Sequence, residues 1–141
     1  MAEYDRNNIF ARILRGELPC HKVYEDEHTL AFMDIAPRGD GHTLVIPKKP
    51  SRNVLDIEAA DFVHVTHTVM RVARAAKMAL NADGVTIQQF NESAGGQVVF
   101  HTHVHIIPRF AGVSLKPPAS AMGKPEELAT IAAKIGSAIP R

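Results

Sequence analysis

Residues 101–108 read His-Thr-His-Val-His-Ile-Ile-Pro, with an imidazole at every second position. Thr, Val and Ile are β-branched, which favours an extended chain over a helix. Side chains along a strand alternate between faces. His101, His103 and His105 therefore share one face, and Thr102, Val104 and Ile106 share the other. The second face suits a core. The first must meet solvent, polar partners or a ligand, because a buried imidazole needs hydrogen bonds. Pro108 lacks an N–H and is expected to close the strand.

Three readings of the row stand side by side. Positions i and i+2 lie roughly 6.5–7 Å apart, so two imidazoles converge on one zinc at about 2 Å each, whereas three span about 13 Å. A neutral imidazole also attacks phosphorus or a carbonyl carbon while its neighbours donate to oxygens. The third reading is a chance histidine-rich edge, in a chain with 8 histidines among 141 residues. His64 and His67, three apart on a helical pattern, read as surface histidines rather than a ligand pair.

The length allows one domain, residues 1–141, with a real core. A net charge of +1 gives no footprint for nucleic acid. No apolar run approaches the roughly 18 residues of a membrane span, and the polar start with Glu3 and Asp5 is unlike a signal peptide. Cys20 is the only cysteine, which excludes an intramolecular disulfide and suits the cytoplasm.

Ile9, Phe10, Ile13 and Leu14 recur at helical spacing and predict a short helix over 8–15, ended by Gly16. Residues 21–25 and 29–33 predict a β-hairpin, and 42–47 a third strand. Residues 58–82 form the longest helical pattern. Phe62, Val65, Val69, Val72, Ala73, Ala76 and Leu80 make its buried stripe, while Asp61, His64, Thr68, Arg71 and Arg74 face away. Strands follow over 85–91 and 97–108, separated by a glycine-containing loop. A Pro/Gly segment over 111–123 leads to a last helix from Pro125, with Leu128, Ile131, Ala132, Ile135 and Ile139 on its apolar face. This order suggests an α+β fold with an antiparallel sheet.

The stretch GGQVVFHTHVHIIPR (95–109) resembles the histidine triad (HIT) family, whose signature is His-φ-His-φ-His-φ-φ with φ apolar; Thr102 fills the first φ. Residues 7–49 are similar to the amino-terminal half of its Hint-type branch, through F-x-D-I-x-P and GHTLVIPKK. The likeness covers residues 7–109, and 111–141 lacks a clear counterpart, forming a loop-and-helix extension. The resemblance implies about five antiparallel strands with one long helix packed on them, and a homodimer whose two sheets join. It implies a purine nucleotide of the AMP type as ligand, and hydrolysis of the bond from its α-phosphate to an amine or a phosphate chain. It calls for no cofactor.

Residue by residue, the resemblance makes His103 the nucleophile that becomes nucleotidylated, with His101 and His105 flanking it and His42 a fourth histidine near the leaving group. Asp34 and Ile35 match the ribose contacts. Ile9, Phe10, Ile13 and Phe32 match the apolar slot for the base. Asn91, Gly96, Gln97 and Val98 match the phosphate side. Two departures follow. Relatives often carry serine where this chain has Val98, so a hydroxyl donor is absent. A zinc site found in some bacterial relatives would need cysteines at Asn8 and Ala11 and a histidine at Pro50, so no structural zinc is expected.

The physics of these positions is consistent with that chemistry. A neutral imidazole approaches an anionic phosphate more easily than a carboxylate does, and histidine is largely neutral at pH 7. Flanking imidazoles, when protonated, would offset charge developing on the equatorial oxygens. A Gly-Gly pair allows close backbone approach to phosphate.

Overall fold

Only the last part of the histidine row enters the sheet. The computed structural model describes residues 2–140. The elements are α1 (Ile9–Leu14), β1 (Lys22–Glu25), β2 (Thr29–Met33), β3 (Thr43–Pro47), α2 (Ala59–Ala79), β4 (Gly84–Gln88), a 3-10 turn (Ser93–Gly95), β5 (Val104–Arg109) and α3 (Pro125–Ser137). The strands form one antiparallel sheet in the order β1-β2-β3-β5-β4. This is the α+β arrangement expected.

The strand predicted over 97–108 is shorter at its start. Pairing with β3 stops at the Val45–Val104 pair and pairing with β4 at the Gln88–His105 pair, so residues 97–103 lie outside the ladders. Their polar groups turn to the loop after β3 instead: Thr102 N–H donates to the Ser51 carbonyl at 2.9 Å, and the two hydroxyls lie 2.7 Å apart. Nor does Pro108 close the strand. Pairing with β3 stops at the Thr43–Ile106 pair, so this end of β5 is flanked only by β4, where Pro108 faces Val85. A proline is tolerated at such an edge. The strand predicted over 85–91 ends at Gln88, because the side chains of Gln89 and Asn91 bond each other at 2.8 and 2.9 Å.

Alternation sorts the sheet into two covered faces. Ala31, Met33, Val45, Val104 and Ile106 pack under Val65, Val69, Val72 and Ala76 of α2 and Ile135 of α3. Leu30, Phe32, Leu44 and Ile46 face the other way, toward Phe10 of α1. The short helix α1 holds its place through Asn8, whose Oδ1 accepts the Ala11 N–H at 2.9 Å. One expected outward residue of α2 is inward: Thr68 is buried, and its hydroxyl meets that of Thr29 at 2.8 Å, which satisfies both polar groups in the core. No helix among the described residues is long and apolar enough to cross a membrane.

Gly41 turns the chain into β3. Its φ is +87°, and a Cβ there would sit 2.4 Å from Leu80 Cδ1 and 2.9 Å from Pro108 Cγ. Gly41→Ala combines backbone strain with overpacking and is expected to destabilise the fold by about 3 kcal/mol. Urea unfolding checks this: the midpoint should fall with an unchanged slope.

Candidate active site

The histidine face is the α1 face of the sheet. The His103 ring stands edge-on to Phe10, with centroids 5.0 Å apart, and Phe10 in turn packs edge-on to Phe32 at 5.3 Å. His103 Nδ1 lies 2.7 Å from the His101 carbonyl oxygen. A carbonyl only accepts, so Nδ1 carries the hydrogen and Nε2 keeps its lone pair.

His101 is fully buried and both its nitrogens are engaged. Nε2–H donates to the Pro47 carbonyl at 2.8 Å, and Nδ1 accepts from the Tyr4 hydroxyl at 2.5 Å. It offers no free nitrogen, and its carbonyl orients His103.

Three further groups form a chain. The backbone N–H of Arg38 donates to His42 Nδ1 at 3.0 Å, so the neutral His42 ring carries its hydrogen on Nε2. That Nε2–H faces His105 Nδ1 at 2.9 Å and Asp34 Oδ2 at 3.5 Å. His105 Nδ1 therefore accepts, and its Nε2 bears a hydrogen. The rings of His103 and His105 are 5.0 Å apart. One imidazole presents a lone pair and its neighbour presents a donor.

Burial is the main cause of the titration behaviour. It lowers His101 from 6.5 to about 4 and His105 to about 3, the latter helped by His103, His42 and Arg38. Burial also lowers His103 and His42, with Asp34 opposing in both. All four rings are neutral near pH 7. The folded state thus resists protons that the unfolded chain takes up below about pH 6.5, so stability falls as pH drops from there toward about 4. His101 alone accounts for about 3 kcal/mol of this loss, or at most ~1.4 kcal/mol per pH unit. Thermal unfolding between pH 7.5 and 4.5 should show the decline begin before carboxylates titrate. His101→Gln, which keeps a donor and an acceptor, should flatten it by about one proton.

Asp34, His42 and His105 offer ligand atoms within 4.8 Å of one another. The donor set does not fit a metal as it stands. His42 Nε2 holds a hydrogen for as long as Nδ1 accepts from Arg38, so this nitrogen has no lone pair to give.

Over the site runs the loop that follows β4. Gly96 has φ +97°, and a Cβ there would lie 3.3 Å from Phe90, whereas Gly95 borders open space. Only Gly96 needs to be glycine. Gln97 is buried with its amide fully used: Oε1 accepts from Glu92 N–H at 2.8 Å and Asn53 Nδ2 at 3.0 Å, and Nε2 donates to the carbonyls of Arg52 at 2.7 Å and Val99 at 3.1 Å. Asn91 is likewise engaged, accepting from Val54 N–H at 2.9 Å. Both amides shape the loop. Glu92 holds φ +64°, rare for a side chain of its size, and is clamped by Arg52 at 2.8 and 3.1 Å and by Asn53 at 2.5 Å. Arg52 accordingly lowers the Glu92 carboxyl.

Ile13 packs beside Phe10 and Phe32, while Ile9, Ile35 and Val98 are exposed, Val98 at 83%. Tyr4, Arg38, Arg52, Asn53 and Glu92 were not among the expected site residues. No periodicity marks them, since Tyr4, Arg52, Asn53 and Glu92 act through partners distant in sequence and Arg38 acts on His42 through its backbone N–H.

A five-stranded sheet with a tautomer-fixed imidazole pair on one face defines a histidine-triad fold. Residues 15–112 match the HIT domain family. The protein "Protein hit" of Bacillus subtilis is 41% identical over 134 residues, covering 92% of each chain. A crystal structure of a Hit-like protein from Bartonella henselae superposes with a TM-score of 0.94 at 48% identity, covering 98% of this chain and all of that one. Adenylylsulfatase HINT3 of Arabidopsis thaliana is 38% identical over 101 residues, 72% of this chain and 51% of that protein. The chain belongs to the HIT family, whose members include nucleotide-binding proteins and hydrolases.

Proposed function

We propose that the protein is a purine nucleotide hydrolase working through a nucleotidyl-histidine. The observation that carries this reading is the pairing of the free lone pair on His103 Nε2 with the neighbouring N–H on His105 Nε2. His103 Nε2 attacks the α-phosphorus of an AMP derivative, a P–N bond forms, and the bond to the leaving group breaks with its electron pair. The leaving group is an anion such as a phosphate chain or the sulfate of adenylyl sulfate, which departs without a proton, or an amine, as in a phosphoramidate, whose nitrogen takes up a proton from solvent as it departs. His105 Nε2–H donates to a phosphate oxygen as charge builds there. His42 and His101 act as positioning residues. Water then attacks the adduct, releases AMP and returns His103.

Phe10 and Phe32, with Ile9, Ile13 and Ile35 around them, supply the apolar side for the base. The Asp34 carboxylate is a fitting acceptor for ribose hydroxyls. The loop at Gly96 and Val98 brings backbone to the phosphate, and Asn91 and Gln97 hold that loop. A second copy of the chain completes the working form. The free edge of β4, with Ile87 exposed, and the exposed Val63 and Met70 of α2 support such a dimer. The compartment this reading expects is the cytoplasm.

Intact-protein mass spectrometry, after rapid neutral mixing with adenosine 5′-phosphoramidate, tests the mechanism. The expected result is a transient adduct of one adenylyl group mapping to His103. AMP binding without any release would instead make the protein a non-catalytic nucleotide binder, and turnover with no adduct would overturn the covalent route.

A further inference from the structure

Among the described residues, the His105 ring makes one hydrogen bond, in which Nδ1 accepts from His42 Nε2–H at 2.9 Å. One such bond fixes an atom and not a plane. An imidazole turns about its Cβ–Cγ bond over a broad profile, so the direction of the free Nε2–H needs a second constraint. Two rings bear on it. His103 stands 5.0 Å from His105 with 60° between the planes, and Phe90 stands 5.4 Å away with 63° between them. With Phe10 at 5.0 Å from His103, the four rings form one edge-to-face row of phenyl, imidazole, imidazole and phenyl.

The two supports of His105 differ in kind. His103 takes up the adenylyl group in the proposed reaction and gives it back, so it is not a constant wall. Phe90 has no group that reacts. It is also held in place. The side chains of its two chain neighbours, Gln89 and Asn91, bond each other at 2.8 and 2.9 Å, and Gln89 Nε2 donates to the Phe90 carbonyl at 3.2 Å. On the loop side the ring borders Gly96, where a Cβ would come within 3.3 Å of Phe90 Cδ1. One phenyl ring therefore lies against both the glycine of the loop over the site and the imidazole with the free N–H.

We propose that Phe90 is a positioning residue: packed between Gly96 and His105, it sets the plane of the His105 ring and so aims Nε2–H at the phosphate. This rests on the nucleotidyl-His103 reading above and deepens it. An aromatic pair favours one ring orientation over others by up to about tenfold. An aliphatic side chain fills similar space, but it has no ring edge or face and prefers no angle. The aim of the donor matters most as charge builds on the phosphate oxygens. Ground-state binding of the nucleotide depends on it less, because Phe10 and Phe32 form the apolar wall without contribution from Phe90.

The test compares the natural protein with two ringless variants, Phe90→Leu and Phe90→Met, and with Phe90→Tyr, which keeps the ring. Steady-state kinetics on adenosine 5′-phosphoramidate and the Kd for AMP are measured below each variant's Tm. The ringless variants should lose about tenfold in kcat while KM and Kd stay within about threefold, and Phe90→Tyr should recover most of the loss. A natural kcat in both ringless variants, or a Phe90→Tyr as slow as they are, would overturn the proposal. So would a loss of AMP affinity that matches the loss of kcat, since Phe90 would then be a wall of the binding slot. Nitrogen-15 spectra of the His105 ring give a second readout that needs no turnover. Phe90→Leu should broaden or split the two ring signals, whereas the natural protein and Phe90→Tyr each show one sharp set. Should the natural protein neither release AMP nor form an adduct, the hydrolase reading fails and the spectra alone decide: one sharp set in Phe90→Leu would overturn the positioning role as well.

Discussion

His103→Ala is expected to lower AMP release by at least about 10⁴-fold, because the variant loses the only group that splits the reaction into two easier steps. The expected change in AMP affinity is small by comparison. His103 contributes one ring to a wall otherwise made by Phe10 and Phe32, and neither aromatic depends on it for its place in the core. A large fall in kcat with a nearly constant Kd for AMP is thus the signature of a lost nucleophile rather than a lost fold. Chemical rescue sharpens the test. In His103→Gly, free imidazole should recover part of the turnover, with the adenylyl group then found on the small molecule. Activity within about tenfold of the natural protein in His103→Ala would sink the covalent mechanism.

The second large effect concerns a residue that touches no substrate. Asn53 is completely buried and joins three segments: Nδ2 donates to Glu92 and Gln97, and Oδ1 accepts the Leu55 N–H at 2.9 Å. Asn53→Ala removes the acceptor of the Leu55 N–H and leaves Glu92 and Gln97 Oε1 each one donor short. The expected cost is about 3 kcal/mol, which lowers Tm by about 10 °C in a domain of this size. Activity should fall further than stability explains. The loop that Glu92 anchors in a strained conformation would relax, and misplacing the Gly96 backbone by about 1 Å costs on the order of 10²-fold. Scanning calorimetry and steady-state kinetics at 15 °C, where the variant remains folded, separate the two losses. A variant with a lowered Tm but natural kcat would show the clamp to be structural only.

Much of this architecture is legible in the residues. The helical spacing of Phe10 and Ile13, the stripe of α2 and the alternation of Val104 and Ile106 with His105 each map onto a packed face. What the alternation cannot reveal is hydrogen-bond partners. It places His101 beside His103 on one face, yet the Pro47 carbonyl and the Tyr4 hydroxyl come from residues far along the chain and consume both His101 nitrogens. The same limit hides Arg38, whose contact with His42 is made by its backbone N–H, a group that every residue but proline carries. Thr68 reads as outward because it is polar, and only the facing Thr29 makes its burial tolerable. The short β5 depends on where its pairing with β3 and β4 stops, which is a property of the sheet and not of the segment.

His42 and His105, 63 residues apart, meet beside the single ladder that joins the first three strands to the last two. During synthesis from the amino terminus, β1, β2, β3 and α2 all leave the ribosome before β5 does. Closing so long a loop is an entropic barrier that local contacts cannot lower. The donor chain from Arg38 to His105 is therefore absent from every shorter nascent chain, and under the proposed function the site is assembled only with the last strand. Under the proposed function, a polypeptide that ends before the histidine row lacks His103 and His105 and is expected to be inert.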